Sequence, residues 1–217
     1  MAVRMTTLKS REEWLKARDG TLGGSDIASV VGMNPWRNNV ELWEEMVGFK
    51  QREDISKKEA VAYGTKAEAP IRTIFKLDHP ELKVTYKRNN LWTNSKYPFA
   101  HASLDGELVE KESGRKGILE IKTTNILQSM QREKWNDRIP DSYYCQCLWY
   151  LAVTEYDFII LRAQLKSVWN KEIRLQTREY RIEREDVQED IDYLMEKAEK
   201  FMEFVKTKTR PGLVINF

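Results

Sequence analysis

Two cysteines and two histidines in 217 residues leave this chain little material for soft-metal chemistry. Cys145 and Cys147 are two apart on a predicted helix, point in different directions and do not bridge easily. They are expected to be small buried residues, and two thiols exclude the four-thiolate ligation of an iron–sulfur cluster. No apolar run approaches the roughly 20 residues that span a bilayer, and Met1 to Arg11 lacks a secretory apolar core. A cytoplasmic chain with no membrane partner is therefore expected. An excess of charge is also missing: 36 Lys and Arg against 34 Asp and Glu give a net charge of +2, so polyanion binding would have to come from local clusters. Lys87-Arg88, Arg115-Lys116, Arg132 to Lys134 and Lys206 to Arg210 are basic, while acids crowd Glu183 to Glu199. With no low-complexity linker, residues 1–217 are expected to form one α/β or α+β domain long enough to bury a full core.

What the chain does have is a pair of alternating segments, Leu104-Asp105-Gly106-Glu107-Leu108 and Ile118-Leu119-Glu120-Ile121-Lys122. Apolar residues alternating with charged ones suit two strands that bury one face and show carboxylates on the other. Glu120 and Lys122 leave the same face, their Cα atoms roughly 7 Å apart. Two hard-oxygen acids beside a lysine can hold Mg²⁺ and position or activate a water, a set suited to phosphodiester hydrolysis. The same residues also read as turn chemistry and a solvated strand face. Downstream, Asp141 can cap a helix that carries Gln146 and Tyr150 four apart on one face. Gln146 suits contact with a phosphate or water, and Tyr150 suits either support or core packing.

The pattern around these segments is helix-rich. Arg11 to Arg18 reads as a helix. Ser25 is expected to cap a second through Val31, where a hydroxyl beside free backbone amides makes an anion site. Val40 to Val47 gives a third, ending at Gly48. Lys57 to Leu77 has helical apolar spacing at Val61, Ala67, Ile71, Ile74 and Phe75, interrupted by Glu68. A further helix is expected near Leu127, strands at Phe158 to Leu165 and Ile173 to Tyr180, and a helix from Arg184 to about Val205 with an apolar stripe. His101 precedes Asp105 by an even offset of four, which would put both on one face of one strand. It suits a supporting or DNA-contacting role better than hard-metal ligation. His79 reads as loop surface. Of Trp36, Trp92 and Trp149, Trp36 beside Pro35 and Arg37 is the best candidate for stacking on a base.

In this order Asp105, Glu120-Ile121-Lys122 and Gln146-x-x-x-Tyr150 resemble the Asp, Glu-x-Lys and Gln-x-x-x-Tyr elements of the PD-(D/E)XK nucleases. The branch they resemble is the YqaJ-like viral recombinases, the lambda exonuclease family. Gly64-Thr65-Lys66-Ala67-Glu68 is similar to that family's Gly-x-x-x-Glu helix, and Trp14-x-x-x-Arg18 with Gly24-Ser25-Asp26-Ile27 to its 5′-phosphate segment. Five elements in one order, from about Trp14 to Tyr150, make the match more specific than any one of them. Two departures stand out: Ala69 intervenes between Glu68 and Pro70, and Gln128 stands where a second phosphate-binding arginine would fall, with Arg132 as a substitute. The resemblance implies a restriction-endonuclease-like core, a central mixed sheet flanked by helices. It implies a 5′-to-3′ exodeoxyribonuclease on linear double-stranded DNA that releases 5′-mononucleotides and leaves 3′ tails for phage-type recombination. Asp105, Glu120, the Ile121 carbonyl and Glu68 would hold Mg²⁺, two ions per site with Mn²⁺ as a substitute. Lys122 would orient and help deprotonate water, Gln146 would steady it, Tyr150 and His101 would support, and Arg18 and Ser25 would hold the 5′-phosphate. A ring-shaped homotrimer on DNA ends, a single-strand annealing protein as partner and the cytoplasm of a bacterial host are further implications. An endonuclease of restriction or repair type and a non-catalytic DNA-binding relative are the alternatives.

Overall fold

The alternation around Glu120 becomes the central strand of a five-stranded sheet. The structure, a computed structural model, describes residues 2–127 and 129–215. Strand β6 (Lys116–Ile126) lies between β5 (Gly106–Glu110), antiparallel, and β7 (Phe158–Trp169), parallel; β2 (Leu82–Thr85) and β8 (Glu172–Glu183) close the order β2-β5-β6-β7-β8. The expected mixed sheet flanked by helices is present. A second sheet, absent from the sequence reading, pairs β1 (Val3–Thr7), β3 (Asn90–Asn94) and β4 (Tyr97–Ala102) antiparallel in the order β1-β3-β4.

Period-two alternation on β6 sorts its side chains between two cores. Leu119 and Ile121 join Leu108, Phe158 and Ile160 under helix α4 (Glu59–Asp78), where Ile71 and Phe75 cover them. Ile118 and, on β7, Ile159, Leu161 and Ala163 belong to the larger core, which includes helix α6 (Asp141–Thr154). Ten consecutive residues of α6, Cys145 to Thr154, are buried, so this helix has no solvent face over most of its length. That is where the two cysteines lie, as expected. Trp92 and Trp149 are also core residues, whereas Trp36 is 75% exposed. Helix α7 (Gln188–Thr207) buries the stripe Ile191, Leu194, Ala198 and Phe201 against the same core, and begins after a 3-10 turn at Glu185–Val187 rather than at Arg184.

Helix starts follow their caps. In α1 (Arg11–Ala17) the Ser10 hydroxyl accepts from the Glu13 amide, and in α3 (Asn39–Met46) Asn38 and Glu41 cap each other reciprocally. Helix α2 (Gly24–Val30) departs from expectation: its cap is Gly23, and Ser25 sits exposed within the first turn instead of ahead of it. Asp26 is the reason, because its carboxylate reaches back to the Gly23 amide at 3.1 Å and fixes the start two residues early. Helix α4 runs continuously through Pro70, so the extra residue after Glu68 does not break it. His79 caps the end of α4 half-buried between Glu81 and Glu179, which replaces the loop-surface expectation. The helix near Leu127 is α5 (Ser129–Glu133); Gln128 lies outside the described residues.

Asp26 also ties the loops around α2 together. It is 2% exposed and bonds the Arg37 guanidinium at 2.6 Å and that of Arg52 at 2.5 Å, while Arg37 continues to Glu45 at 2.8 Å. Burial pushes its carboxyl up, but the two arginines outweigh this and hold it below the usual range. An uncompensated buried charge costs roughly 3–5 kcal/mol when one partner is removed. Asp26→Ala is expected to destabilise near the low end, about 3 kcal/mol, because Arg52 is half exposed and can rehydrate. Urea unfolding checks this; a loss under about 1 kcal/mol would show that the loops are held by packing instead.

Candidate active site

The site forms where β5 gives out. Strand β5 starts at Gly106, opposite Leu119, so from Glu120 onward β6 is paired with β7 on one side only. Asp105, a bend residue just before β5, fills the vacant hydrogen-bonding position: its Oδ2 accepts from the Ile121 amide at 2.9 Å. Since a residue's amide and carbonyl leave a strand on the same side, the Ile121 carbonyl also faces this open edge. Asp105 is thus not itself a strand residue, as the alternation suggested, but a side chain standing in for one. Its own carbonyl is gripped by Arg72 Nε at 2.5 Å, and the Arg72 guanidinium stacks 3.8 Å over Tyr86. Arg72 was not singled out from sequence; its place four residues after Glu68 on α4 was the available signal.

Glu120 and Lys122 project from the other side of β6 toward α6. Lys122 Nζ lies 2.7 Å from Glu120 Oε1 and donates to Gln146 Oε1 at 2.9 Å; Gln146 Nε2 donates to Glu120 Oε1 at 2.7 Å and to the Tyr150 hydroxyl at 2.8 Å. Four of the expected residues therefore close into one hydrogen-bonded network. Asp105 lies close enough to Glu120 to share a hydrogen bond with it. Glu68 completes the group from α4, whose approach to the sheet depends on Gly64: a Cβ there would stand 3.0 Å from Thr123 Oγ1.

Three acids in one low-dielectric place repel ionisation. Burial and then the neighbouring Asp105 raise Glu68 to about 7. Burial, against the opposing pull of Lys122, raises Glu120 to about 8, and burial raises Asp105 as well. Burial would push Lys122 down, but Glu120 outweighs it and keeps the lysine an ammonium. Among the described residues no three Asp, Glu, His or Cys side chains stand together as a ready-made metal cage. Lys122 and Gln146 both engage Glu120 Oε1.

A second, cationic place adjoins the network. Gly24 lets α2 press onto α6, since a Cβ there would lie 2.5 Å from the Tyr150 ring and 2.9 Å from Gln146 Cγ. At the neighbouring Gly23 a Cβ would meet His101 Nε2 at 2.7 Å and the Arg18 guanidinium at 3.4 Å. Arg18 stacks 4.0 Å over Trp14 and donates from Nε to His101 Nε2 at 2.8 Å. His101 belongs to β4 in the smaller sheet, not to a strand shared with Asp105, so the common-face expectation fails; its partners are Arg18 and Thr21. With Nε2 accepting, Nδ1 must carry the proton and donate to Thr21 Oγ1 at 2.8 Å, while that hydroxyl donates to the Arg18 carbonyl. Arg52 and Arg11 add positive potential at Arg18; neither was foreseen. Arg132 has no contact with Arg18, Gly23 or His101, and lines a different part of the molecule, beside Arg174.

Residues 13–157 match the model of the YqaJ-like viral recombinase domain. The uncharacterized protein YqaJ of Bacillus subtilis (strain 168) is 32% identical over 168 residues, 75% of this chain and 50% of that protein. The chain thus spans about half the length of this curated relative. Among solved structures, the alkaline exonuclease LHK-Exo of Laribacter hongkongensis superposes with a TM-score of 0.61 at 20% identity, over 91% of this chain and 97% of that one, and its complex with dAMP matches equally. A phage related exonuclease from Haemophilus somnus 129PT gives 0.56 at 13% identity, over 87% and 96%. At these identities the likeness is one of fold.

Burial and the adjacent Arg18 lower His101 to about 4, well under the roughly 6.5 of a free imidazole. The unfolded chain therefore binds this proton first, and the stability present above pH 6.5 is lost as pH falls towards 4, on the order of 3 kcal/mol at the lower limit. His101→Gln keeps an acceptor for Arg18 without titrating. Urea midpoints between pH 7 and 4 should fall less steeply in this variant than in the wild type; parallel pH profiles would contradict a neutral His101.

Proposed function

The chain belongs to the YqaJ-like viral recombinase domain family, and on that premise we propose that it is a divalent-metal-dependent exodeoxyribonuclease. In this reading it degrades linear double-stranded DNA from the 5′ end, releases 5′-mononucleotides and leaves 3′ single strands for recombination. The observation that carries the proposal is the joining, through Gly24, of an acid–lysine network to a guanidinium pocket. One can hold a scissile phosphate and the other a terminal one. LHK-Exo, an alkaline exonuclease known with dAMP, supports the reading by its fold.

The fold family implies a divalent metal, and the donor chemistry fits one. Asp105 and Glu120 are acids raised chiefly by burial despite the nearby Lys122, with Glu68 in electrostatic reach and the Ile121 carbonyl at the open strand edge. Hard oxygen donors of this kind suit Mg²⁺, with Mn²⁺ as a substitute and room in the donor set for two ions. When bound, such an ion supplies Lewis acidity to the phosphoryl group.

The residues around it have separable tasks. Lys122, held as an ammonium, orients the attacking water and opposes negative charge developing on the phosphate; to take a proton from that water it would first have to give one up. Gln146 is buried and fully engaged, so it acts as a positioning residue for Lys122 and Glu120 rather than touching the water. Tyr150 holds Gln146 in turn. Arg18 grips the 5′-phosphate through charge-assisted bonds, its Nε fixed by His101 and its other nitrogens left as donors, and the exposed Ser25 hydroxyl lies two residues beyond Gly23. A ring-shaped homotrimer enclosing DNA, and a single-strand annealing protein receiving the 3′ tail, belong to the same proposal.

Linear and closed circular duplex, incubated with Mg²⁺ or with EDTA, test it. The linear form alone should be degraded, in Mg²⁺ alone, and faster from a 5′-phosphate than a 5′-hydroxyl; Arg18→Ala should erase that difference. Cleavage of the circle would favour an endonuclease, and no cleavage of either a non-catalytic binder. Light scattering on the same preparation should give about three times 25.7 kDa if the ring forms.

A further inference from the structure

The β7–β8 hairpin outruns the core that its base helps to build. Its strands pair over twelve residues each, β7 running on to Trp169 past the expected Leu165 and β8 starting at Glu172 beside the expected Ile173, and turn at Asn170 and Lys171, both with positive φ (48° and 66°) as a tight hairpin turn requires. Towards the tip Val168, Trp169, Ile173 and Leu175 are between 56% and 63% exposed. A hairpin projecting apolar and aromatic groups into solvent gains little stability from them, so another purpose is to be sought.

Beside the hairpin lie two cavities, of about 240 Å³ and 440 Å³, which share Ile126, Arg132, Ser167 and Arg174 in their walls; Trp169 lines the larger. Pairing places them on the catalytic face. Ile126 stands an even offset of four from Lys122 on β6, Ser167 is its partner on β7, and Arg174 is the partner of Ser167 on β8. The row therefore points to the same side of the sheet as Lys122, four strand residues away, roughly 13 Å.

The walls of the two cavities carry two guanidiniums and no carboxylate. Arg37, Arg115, Arg162 and Arg181 each bind carboxylates. Arg132 and Arg174 form no ion pair among the described residues, and Glu133 and Glu172, their nearest acids in sequence, are paired with neither. Two uncompensated guanidiniums, a hydroxyl and an exposed indole around one groove are complementary to a phosphodiester chain carrying bases. The smaller cavity has room for a phosphate and sugar, not for a duplex.

We propose that this groove binds one strand of nucleic acid, its phosphates on Arg132 and Arg174 and a base stacked on Trp169, as a site continuous with but separate from the catalytic network. The proposal rests on the nuclease reading above. A strand leaving Lys122 along this face reaches the hairpin within a few nucleotides, so the groove would keep it aligned between successive cuts.

Fluorescence anisotropy of a labelled short oligothymidylate, in EDTA to prevent cleavage, tests this on the intact chain. Arg132→Ala/Arg174→Ala should weaken binding at least tenfold and flatten the salt dependence by about 1.4 in log–log slope, the value for two phosphate contacts on a single strand. Arg132→Lys/Arg174→Lys should keep most of the affinity. Trp169→Ala should weaken binding about tenfold and Trp169→Phe should restore it. All three positions of change are exposed, and unchanged thermal midpoints confirm that the variants fold. If the wild type degrades linear duplex in Mg²⁺ while the alanine variants bind oligothymidylate as the wild type does, the groove is overturned and the nuclease reading stands. If the wild type neither binds nor degrades DNA, both fall.

Discussion

One hydrogen bond sets the arrangement of this molecule: the Asp105 carboxylate on the Ile121 amide, where β5 has ended and β6 has not. A strand with an unpaired edge normally attracts another strand or water. Here a side chain takes the place, and its neighbours Arg72 and Glu68 come from the helix that covers one face of the sheet. The opposite face supplies Glu120 and Lys122. The end of β5 is therefore the point at which groups from both faces of the sheet meet, and the position of that end decides the chemistry.

Burial makes this meeting place electrically tense. Burial and repelling acids raise Glu120, while Lys122 pairs directly with Glu120 and pulls more weakly on Asp105 and Glu68. Gln146 is the arbiter between Lys122 and Glu120, its amide oxygen accepting from the ammonium while its NH2 donates to the carboxylate. The cationic pocket is coupled to this network sterically: Gly23 and Gly24 let Arg18, His101, Tyr150 and Gln146 crowd around one turn of backbone. Asp26 holds that turn in place from below with Arg37 and Arg52.

The hydrogen-bonded network was legible in the sequence because alternation put Glu120 and Lys122 on one face and helical spacing put Gln146 above Tyr150. What was not legible depended on contacts between distant segments. Asp105 and His101 share an even spacing, yet a chain crossing from one sheet to the other separates them, and no periodicity records such a crossing. Ser25 carries the residue type of a cap, but its buried neighbour Asp26 captures the Gly23 amide instead. The small sheet of β1, β3 and β4 was missed because its strands are five or six residues long and mix polar with apolar groups. Arg72 and Arg52 were invisible for a simpler reason: an arginine's partner is chosen by the fold.

The central claim is that Glu120, Lys122 and Gln146 operate as one unit, and a mutant cycle on the rate of phosphodiester cleavage addresses it. Members of such a unit lose activity non-additively, each single change costing nearly as much as all together. Single-turnover hydrolysis of linear duplex by Glu120→Gln, Lys122→Ala and the double variant should therefore show the double no more than about tenfold slower than the worse single. Losses that multiply, or a Lys122→Ala enzyme as fast as the wild type, would contradict the account.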